Sequence, residues 1–382
     1  MREPTANPSD EFLKHYRKSS FASIDGWRDD DHIAAFACFR VSARKLLEQS
    51  YKQGNFGPLI PELSKIASDS LDAPYGERMD NSVARELFEN HFVPYRHLGS
   101  ESERFSGFVT GYYEPEIDAS LTRTASHSVP LYARPADLVE INSEIRPDDW
   151  DETYRYARKR EDGYEPYFDR AQIEQGALSG RGLEIAWIEN PVDAFFIHIQ
   201  GSARLRFAGG KSRRLSYSAK NGHPYTSIGS ILVRDGLMAK EQVTMDTLRS
   251  WMKKNPAAAT KLMRQNRSYI FFSLQDDTDP SLGPVGAASV PLTPGRSLAV
   301  DHTLFTYGMP VWLKTRNPLP GQASPYQRLM IAQDTGSAIR GPARGDIFVG
   351  SGDEAGMVAG SIRHDCEFIV LLPVMNRETA TQ

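Results

Sequence analysis

Cysteine is nearly absent: Cys38 and Cys366, close to opposite ends, are the only two in 382 residues. They are compatible with two free thiols or with one bridge closing most of the chain, and spacing alone does not choose. Long apolar runs are missing too. The longest candidate, FIVLLPVM at 368–375, is strand-sized and far short of the roughly 18 apolar residues that span a bilayer. The amino-terminal MREPTANPSDEFLKHYRKSS has no apolar h-region and does not read as a secretory signal. Cys38 follows an Ala-Phe-Ala run, but the acids Asp29 to Asp31 just before it rule out a lipoprotein signal. There is no excess of positive charge. A net charge of -4 gives no reason to expect nucleic acid as a partner. H-E-x-x-H, C-x-x-C and G-x-x-x-x-G-K-[ST] are all absent, so zincin, thiol-redox and P-loop chemistry lack their minimum parts, and no metal or other cofactor is expected. A G-x-S-x-G nucleophile elbow is absent as well, and no internal repeat is found.

What is present is an ordinary globular composition, 40% hydrophobic and 25% charged. A chain of this length exceeds what one hydrophobic core fills, so two domains are expected. The most telling stretch runs from Ile331 to Gly360, where seven glycines are interleaved with Asp334, Asp346, Asp353, Glu354, Arg340 and Arg344. Short apolar runs between the glycines, Leu329 to Ala332 and Ile347 to Val349, read as buried strands. Strands that short, joined by glycine turns and ending in carboxylates, suggest a small β-barrel with acids at its rim. Asp334-Thr335-Gly336 invites comparison with aspartic proteases, but that chemistry needs two carboxylates sharing a proton. No second such turn occurs.

The first 20 residues are polar and expected to be disordered. From Trp27 the pattern is helical: Asp29 to Asp31 suit a helix N-terminus, and Ile33, Phe36, Ala37, Ala43, Leu46 and Leu47 share a face. Pro61 opens a second helix through Leu63 and Ile66, and Val83, Leu87 and Phe88 mark a third. From Phe105 short strands and turns take over. Gly209-Gly210 and Asn221-Gly222 read as hairpin turns. Phe195 to Gln200 alternates like a strand, with His198 as a core or sheet-face residue and the amide of Gln200 at the strand's polar end. Lys211, Arg213, Arg214 and Lys220 read as a solvated basic surface. Thr244 caps one helix, and Asn255-Pro256 opens the next. QDDTDP at 275–280 reads as a solvated linker. The last hundred residues lack helices and the first hundred lack strands. One discontinuous domain made of both ends, with the β-rich middle inserted, resolves this.

Taken together, TGYYEPEI (110–117), YFDRAQIEQGAL (167–178), ENPVDAFFIHIQGSARLRF (189–207), KNGHPYTSIG (220–229), GPVGAASVPLTPGRSLAVD (283–301) and IAQDTGSAIRGPARGDIFVGSGDEAG (331–356) resemble the MltA family of lytic murein transglycosylases. The resemblance runs from about Phe105 to Leu372. It implies a mainly β protein with an α-helical amino-terminal part. A double-psi β-barrel domain with the 3D segment would be built from residues 1–112 and 281–382, a second β-barrel domain from 113–280 would be inserted, and a groove would lie between them. Asp346, in the D-I-[FY] motif, matches the family's catalytic acid, and Asp334 its supporting aspartate. Thr110, Tyr112, Gln200 and Asp301 fall at positions implied to contact sugar. The implied reaction cleaves the β-1,4 bond between N-acetylmuramic acid and N-acetylglucosamine with the sugar's own C6 hydroxyl, leaving a 1,6-anhydro end. The implied partner is a peptidoglycan glycan strand, the implied state a monomer, and the implied location the periplasm or outer membrane of a Gram-negative envelope. A hydrolase using a second carboxylate, or a non-catalytic murein-binding module, are the alternatives. A single carboxylate serving as acid and then base must be protonated near neutral pH. Burial or a nearby negative charge should therefore raise Asp346, and Arg340 and Arg344 should face elsewhere.

Overall fold

The structure, a computed structural model, describes residues 9–48, 51–56, 60–73, 79–99, 106–142, 144–147, 150, 154–276, 282–315 and 325–374. The chain divides into two compact units, Met1–Tyr113 with Val285–Gly350 and Val358–Gln382 as the first, and Glu114–Pro284 with Ser351–Met357 as the second.

In the first unit, helices α1 (Asp10–His15), α2 (His32–Glu48), α3 (Ile60–Asp72) and α4 (Asn81–His91) accompany a sheet built from both ends of the chain. Its strands are β1 (Tyr16–Lys18), β2 (Phe92–His97), β3 (Gly107–Glu114), β4 (Ser297–Ala299), β5 (Pro310–Thr315), β6 (Gln327–Asp334), β7 (Arg344–Ser351) and β8 (Arg363–Pro373). They lie in the order β1-β2-β8-β5-β6-β4-β7-β3, and a further pairing of β8 with β3 closes the last six into a ring. Closure removes free edges, and it returns β3 to the side of β7.

Helix α2 buries Ala35, Phe36, Cys38, Phe39, Ala43 and Leu46, while Leu47, expected on the same face, is 48% exposed. The acids before α2 divide their work. Asp31 accepts the Ala34 N–H at 2.9 Å as a cap. Asp30 turns inward and accepts both Arg296 guanidinium nitrogens at 2.8 and 3.0 Å, and the Leu329 N–H at 2.8 Å. One helix entry is thereby tied to the segment leading into β4 and to β6. Both cysteines are free and buried. Burial pushes the Cys38 thiol up to about 11 and raises Cys366 as well, so both are held protonated.

Three expectations for this unit need correction. Residues 9–20 are ordered rather than disordered: Ser9 caps α1, and Phe12 and Tyr16 are fully buried in the core. Residues 1–8 lie outside the described residues. The first hundred residues do contain strands, because β2 runs antiparallel to β8 and β1 to β2. The last hundred contain a helix, α6 (Gly352–Ser361), whose first turn carries Asp353 and Glu354.

The second unit holds a six-stranded sheet in the order Ile270–Asp276, Ser212–Lys220, Ser202–Arg206, Glu116–Ser120, Glu184–Ile188 and Val129–Tyr132. A lone bridge from Ala133 to Phe272 links the two ends of that order. The hairpin at Gly209-Gly210 forms with both glycines at positive φ, a conformation that side chains resist. Asn221 forms no hairpin: it is fully buried, and its amide bonds the carbonyls of Phe168 and Arg267.

The run containing His198 is helix α5 (Pro191–Gln200), not a strand. Asn190 accepts the Val192 N–H, Pro191 opens the first turn, and Gly201 closes the helix at φ 82°. Cap chemistry at both ends outweighs the alternation between them. His198 is a core residue: its Nδ1 meets Arg170 at 3.0 Å and its ring stacks on Phe272. Arg214 is not a solvated cation but 8% exposed, donating to Glu114 at 2.8 Å. Of the acidic linker, 277–280 lie outside the described residues.

Candidate active site

Two carboxylates flank one small residue. On β4, Ala299 pairs with Asp346 of β7 on one side and with Asp334 of β6 on the other. The register of β4 against β6 slips between Leu298 and Ala299, so that Gln333 is the extra residue. Side chains alternate faces along a strand, and a bulge re-aims them. This one brings Asp334 level with Ala299 and leaves Gln333 fully buried, where its amide bonds the Cys38 carbonyl at 3.1 Å and the Ser42 hydroxyl at 2.8 Å. Two strand spacings put the aspartate backbones about 10 Å apart.

Strand β3 supplies the partners. Thr110 and Tyr112, two residues apart, share a face. The Thr110 hydroxyl donates to Asp346 Oδ1 at 2.5 Å, and the Tyr112 hydroxyl donates to Asp334 Oδ2 at 2.7 Å. Between them Gly111 meets the opposite neighbour so closely that a Cβ there would lie 2.8–3.0 Å from Ile362 and the backbone of Ala359. Hence the T-G-Y order: two polar residues toward the site and no side chain toward α6.

Burial shifts both carboxyls upward. Asp346 is partly accessible, yet the surrounding protein withdraws enough water to push its carboxyl up to about 6. Arg344 and the Thr110 hydroxyl oppose that rise, and the charge of Asp334 adds to it least of the four influences. Burial is therefore the main cause, and Asp334 a minor one. Asp334 is itself raised by burial, against the Ala287 amide, the Tyr112 hydroxyl and the Thr335 amide. Its Oδ1 accepts both amides at 2.9 Å. Tyr112 is held well above its usual range by burial and by Asp334, so it stays a neutral donor.

Arg344 corrects the sequence reading, because it sits in the site: its Nη2 donates to Thr110 Oγ1 at 2.6 Å. Arg340 bonds Asp301 instead, at 3.2 Å. Asp301 is 4% exposed, and its carboxylate also accepts the Thr303 hydroxyl at 2.7 Å and the Gly341 N–H at 2.9 Å. It fastens the loop between β6 and β7. Gln200 closes helix α5 in the second unit. Among the described residues no group of three or more His, Cys, Asp or Glu could hold a metal ion. Sequence reasoning missed Ala299, for which a small residue in the short SLA strand was the signal. It named Arg344 but turned it away from the site, although Arg344 stands two residues before Asp346 on one strand and so shares its face.

Two family models match the chain, the MltA specific insert domain over residues 108–273 and the 3D domain over 296–372. A membrane-bound lytic murein transglycosylase A of Vibrio cholerae is 33% identical over 275 residues, which cover 70% of this chain and 66% of that protein, just under two thirds of the curated relative. The crystal structure of a membrane-bound lytic murein transglycosylase from Agrobacterium tumefaciens is 39% identical, with a TM-score of 0.86 over 94% of this chain and 97% of that one. Escherichia coli MltA with bound chitohexaose is 27% identical, with a TM-score of 0.61 over 82% of this chain and 83% of that one. With these matches and the site built on its 3D segment, the chain belongs to the MltA family of lytic murein transglycosylases.

Proposed function

We propose that this protein is a peptidoglycan lytic transglycosylase. It cleaves the β-1,4 bond between N-acetylmuramic acid and N-acetylglucosamine, with Asp346 as general acid and then base. The observation that carries the reading is a partly accessible Asp346 whose carboxyl is pushed up to about 6. Near neutral pH a useful fraction is then protonated and able to give its proton to the leaving O4, and the resulting carboxylate takes one from the C6 hydroxyl. Attack from within the same sugar needs no positioned water and gains from effective molarity. Ordinary glycosidases use a second carboxylate for that water. Here Asp334 is tied down by two amides and a phenol, which argues against its serving as a base for water. The chito-oligosaccharide bound by the E. coli relative supports a β-1,4-linked aminosugar ligand.

The closed ring β3-β8-β5-β6-β4-β7 is read as a double-psi barrel, in a domain of residues 1–112 and 281–382 around an insert of 113–280. The location is the Gram-negative cell envelope and the working state a monomer. No helix among the described residues is long and apolar enough to cross a membrane. The test is mass spectrometry of purified sacculi digested with the parent and with Asp346→Asn. Products about one water lighter than their reducing counterparts, lost in the variant by about 10²–10⁴-fold, are expected. Reducing ends from the parent would replace this reading with a hydrolase, and binding without soluble products would replace it with a murein-binding module.

A further inference from the structure

Arg344 is the one cation built into the described site, and its guanidinium is held from three sides. It lies over the Phe108 ring at 5.4 Å from the centroid, donates to the carbonyl of Gly345, and donates through Nη2 to Thr110 Oγ1. The Thr110 hydroxyl in turn donates to Asp346 Oδ1. A hydroxyl has one proton and two lone pairs. A guanidinium N–H at one lone pair removes one of the two rotamers in which the hydroxyl would turn its proton away and accept from the carboxyl. The other rotamer leaves that proton with no acceptor among the described residues, so donation to Asp346 Oδ1 is favoured.

We propose that Arg344 is a positioning residue: by engaging the Thr110 hydroxyl it fixes that hydroxyl as a donor to Asp346 Oδ1, and so assigns the acid proton of Asp346 to Oδ2. The inference rests on Asp346 being the general acid. Without Arg344 the Thr110 hydroxyl can rotate and accept, and the proton then lies mainly on Oδ1, held by Thr110 instead of serving the leaving group. The same arginine holds the acidity in range. Burial alone would lift Asp346 further than about 6, and Arg344 is the largest influence against it. The other groups facing the pair are Asp334 from β6, Tyr112 from β3 and Cys366 from β8. Tyr112 and Cys366 are held protonated by burial, so Asp334 is the remaining titrating neighbour, and it works in the direction opposite to Arg344.

The experiment compares Arg344→Met, Arg344→Lys, Thr110→Val, Thr110→Ser and the Arg344→Met/Thr110→Val pair in the full chain. The pH dependence of anhydro-product formation is measured on sacculi, and the Asp346 carboxyl is titrated by carbon NMR, assigned with Asp346→Asn. Arg344→Met should move the alkaline limb and the NMR midpoint upward together, by about one unit, with Arg344→Lys in between. On the low-pH plateau Arg344→Met and Thr110→Val should each lower kcat about tenfold with little change in KM. The double variant should lose no more than about twofold beyond Thr110→Val, because the arginine acts through that hydroxyl. Thr110→Ser should recover most of what Thr110→Val loses. An unmoved NMR midpoint in Arg344→Met, or a double variant that loses the product of the single losses, overturns the assignment. Should Arg344→Met fail to fold, Arg344→Lys with the Thr110 pair decides on the same two readouts. Absence of anhydro products from the parent would instead overturn the transglycosylase reading, and the NMR titration still reads the arginine.

Discussion

Replacing Asp346 by Asn should stabilise the protein, and by an amount that depends on pH. The carboxyl rises from an ordinary value of 3.8 to about 6 on folding, so the native state binds this proton more tightly than the unfolded chain does. Between those two values the native state holds more protons, and stability falls as pH rises. Above about 6 the whole penalty is in place. Two units at about 1.4 kcal/mol each amount to at most ~3 kcal/mol. An amide of the same shape cannot ionise, and it still accepts the Thr110 hydroxyl. The variant should therefore gain almost nothing from this source at pH 3.5 and up to ~3 kcal/mol at pH 7.5, which for a unit of this size is about 6–12 °C in melting temperature. Thermal melts of parent and variant from pH 3.5 to 8 measure the difference directly, because all other titrating groups are common to both. A difference that does not change with pH would show that the carboxyl is not raised. A difference that turns against the variant as pH rises would show that Arg344 outweighs burial and that the site favours the carboxylate.

Activity should track the same group, with kcat/KM falling about tenfold per pH unit above pH 6 as the protonated acid is lost. A profile flat to pH 8 would exclude Asp346 as the acid. Asp334→Asn should cause a partial loss of activity and move the alkaline limb only slightly downward, since its charge contributes least to the rise of Asp346; a large shift would mean the two carboxyls are strongly coupled. Asp30→Ala leaves the Arg296 guanidinium buried without its bidentate partner and should cost about 3–5 kcal/mol in denaturant unfolding, whereas a loss under 1 kcal/mol would mean that the pair is solvated. Gly111→Ala places a methyl against the Ala359 backbone and should destabilise by about 1–3 kcal/mol while separating Thr110 from Asp346; parent-like melting and activity would show that α6 simply gives way.

The helical amino-terminal segments were readable because their apolar residues repeat at the helical period: Leu63 and Ile66 are buried in α3, and Phe88 in α4. The strands carrying the two aspartates were readable from short apolar runs bounded by glycine. The sequence misleads where two local signals compete. Phe195 to Gln200 alternates, but Asn190-Pro191 and Gly201 mark a ten-residue helix, by the same cap rule that correctly opened a helix at Asn255-Pro256. Arg214 reads as a surface cation because nothing local announces Glu114, one hundred residues away and fully buried. Strand β2 exists because β8 offers an edge to it, and β1 because β2 does, and an edge is not a property of the segment that uses it.

By itself the sequence named the candidate side chains. It put Asp334 and Asp346 in glycine-bounded strands, and Thr110 and Tyr112 two residues apart, so that a strand must present both on one face. The sequence also carried the run of motifs that marks the family. Only the tertiary structure decided how these groups behave. The slip at Ala299 that sets Asp334 beside it, the burial that lifts Asp346 to about 6, and the Arg344 guanidinium behind Thr110 all depend on strands from separate parts of the chain closing into one ring. Acidity is a property of what surrounds a carboxyl, and the surroundings exist only once the chain has folded.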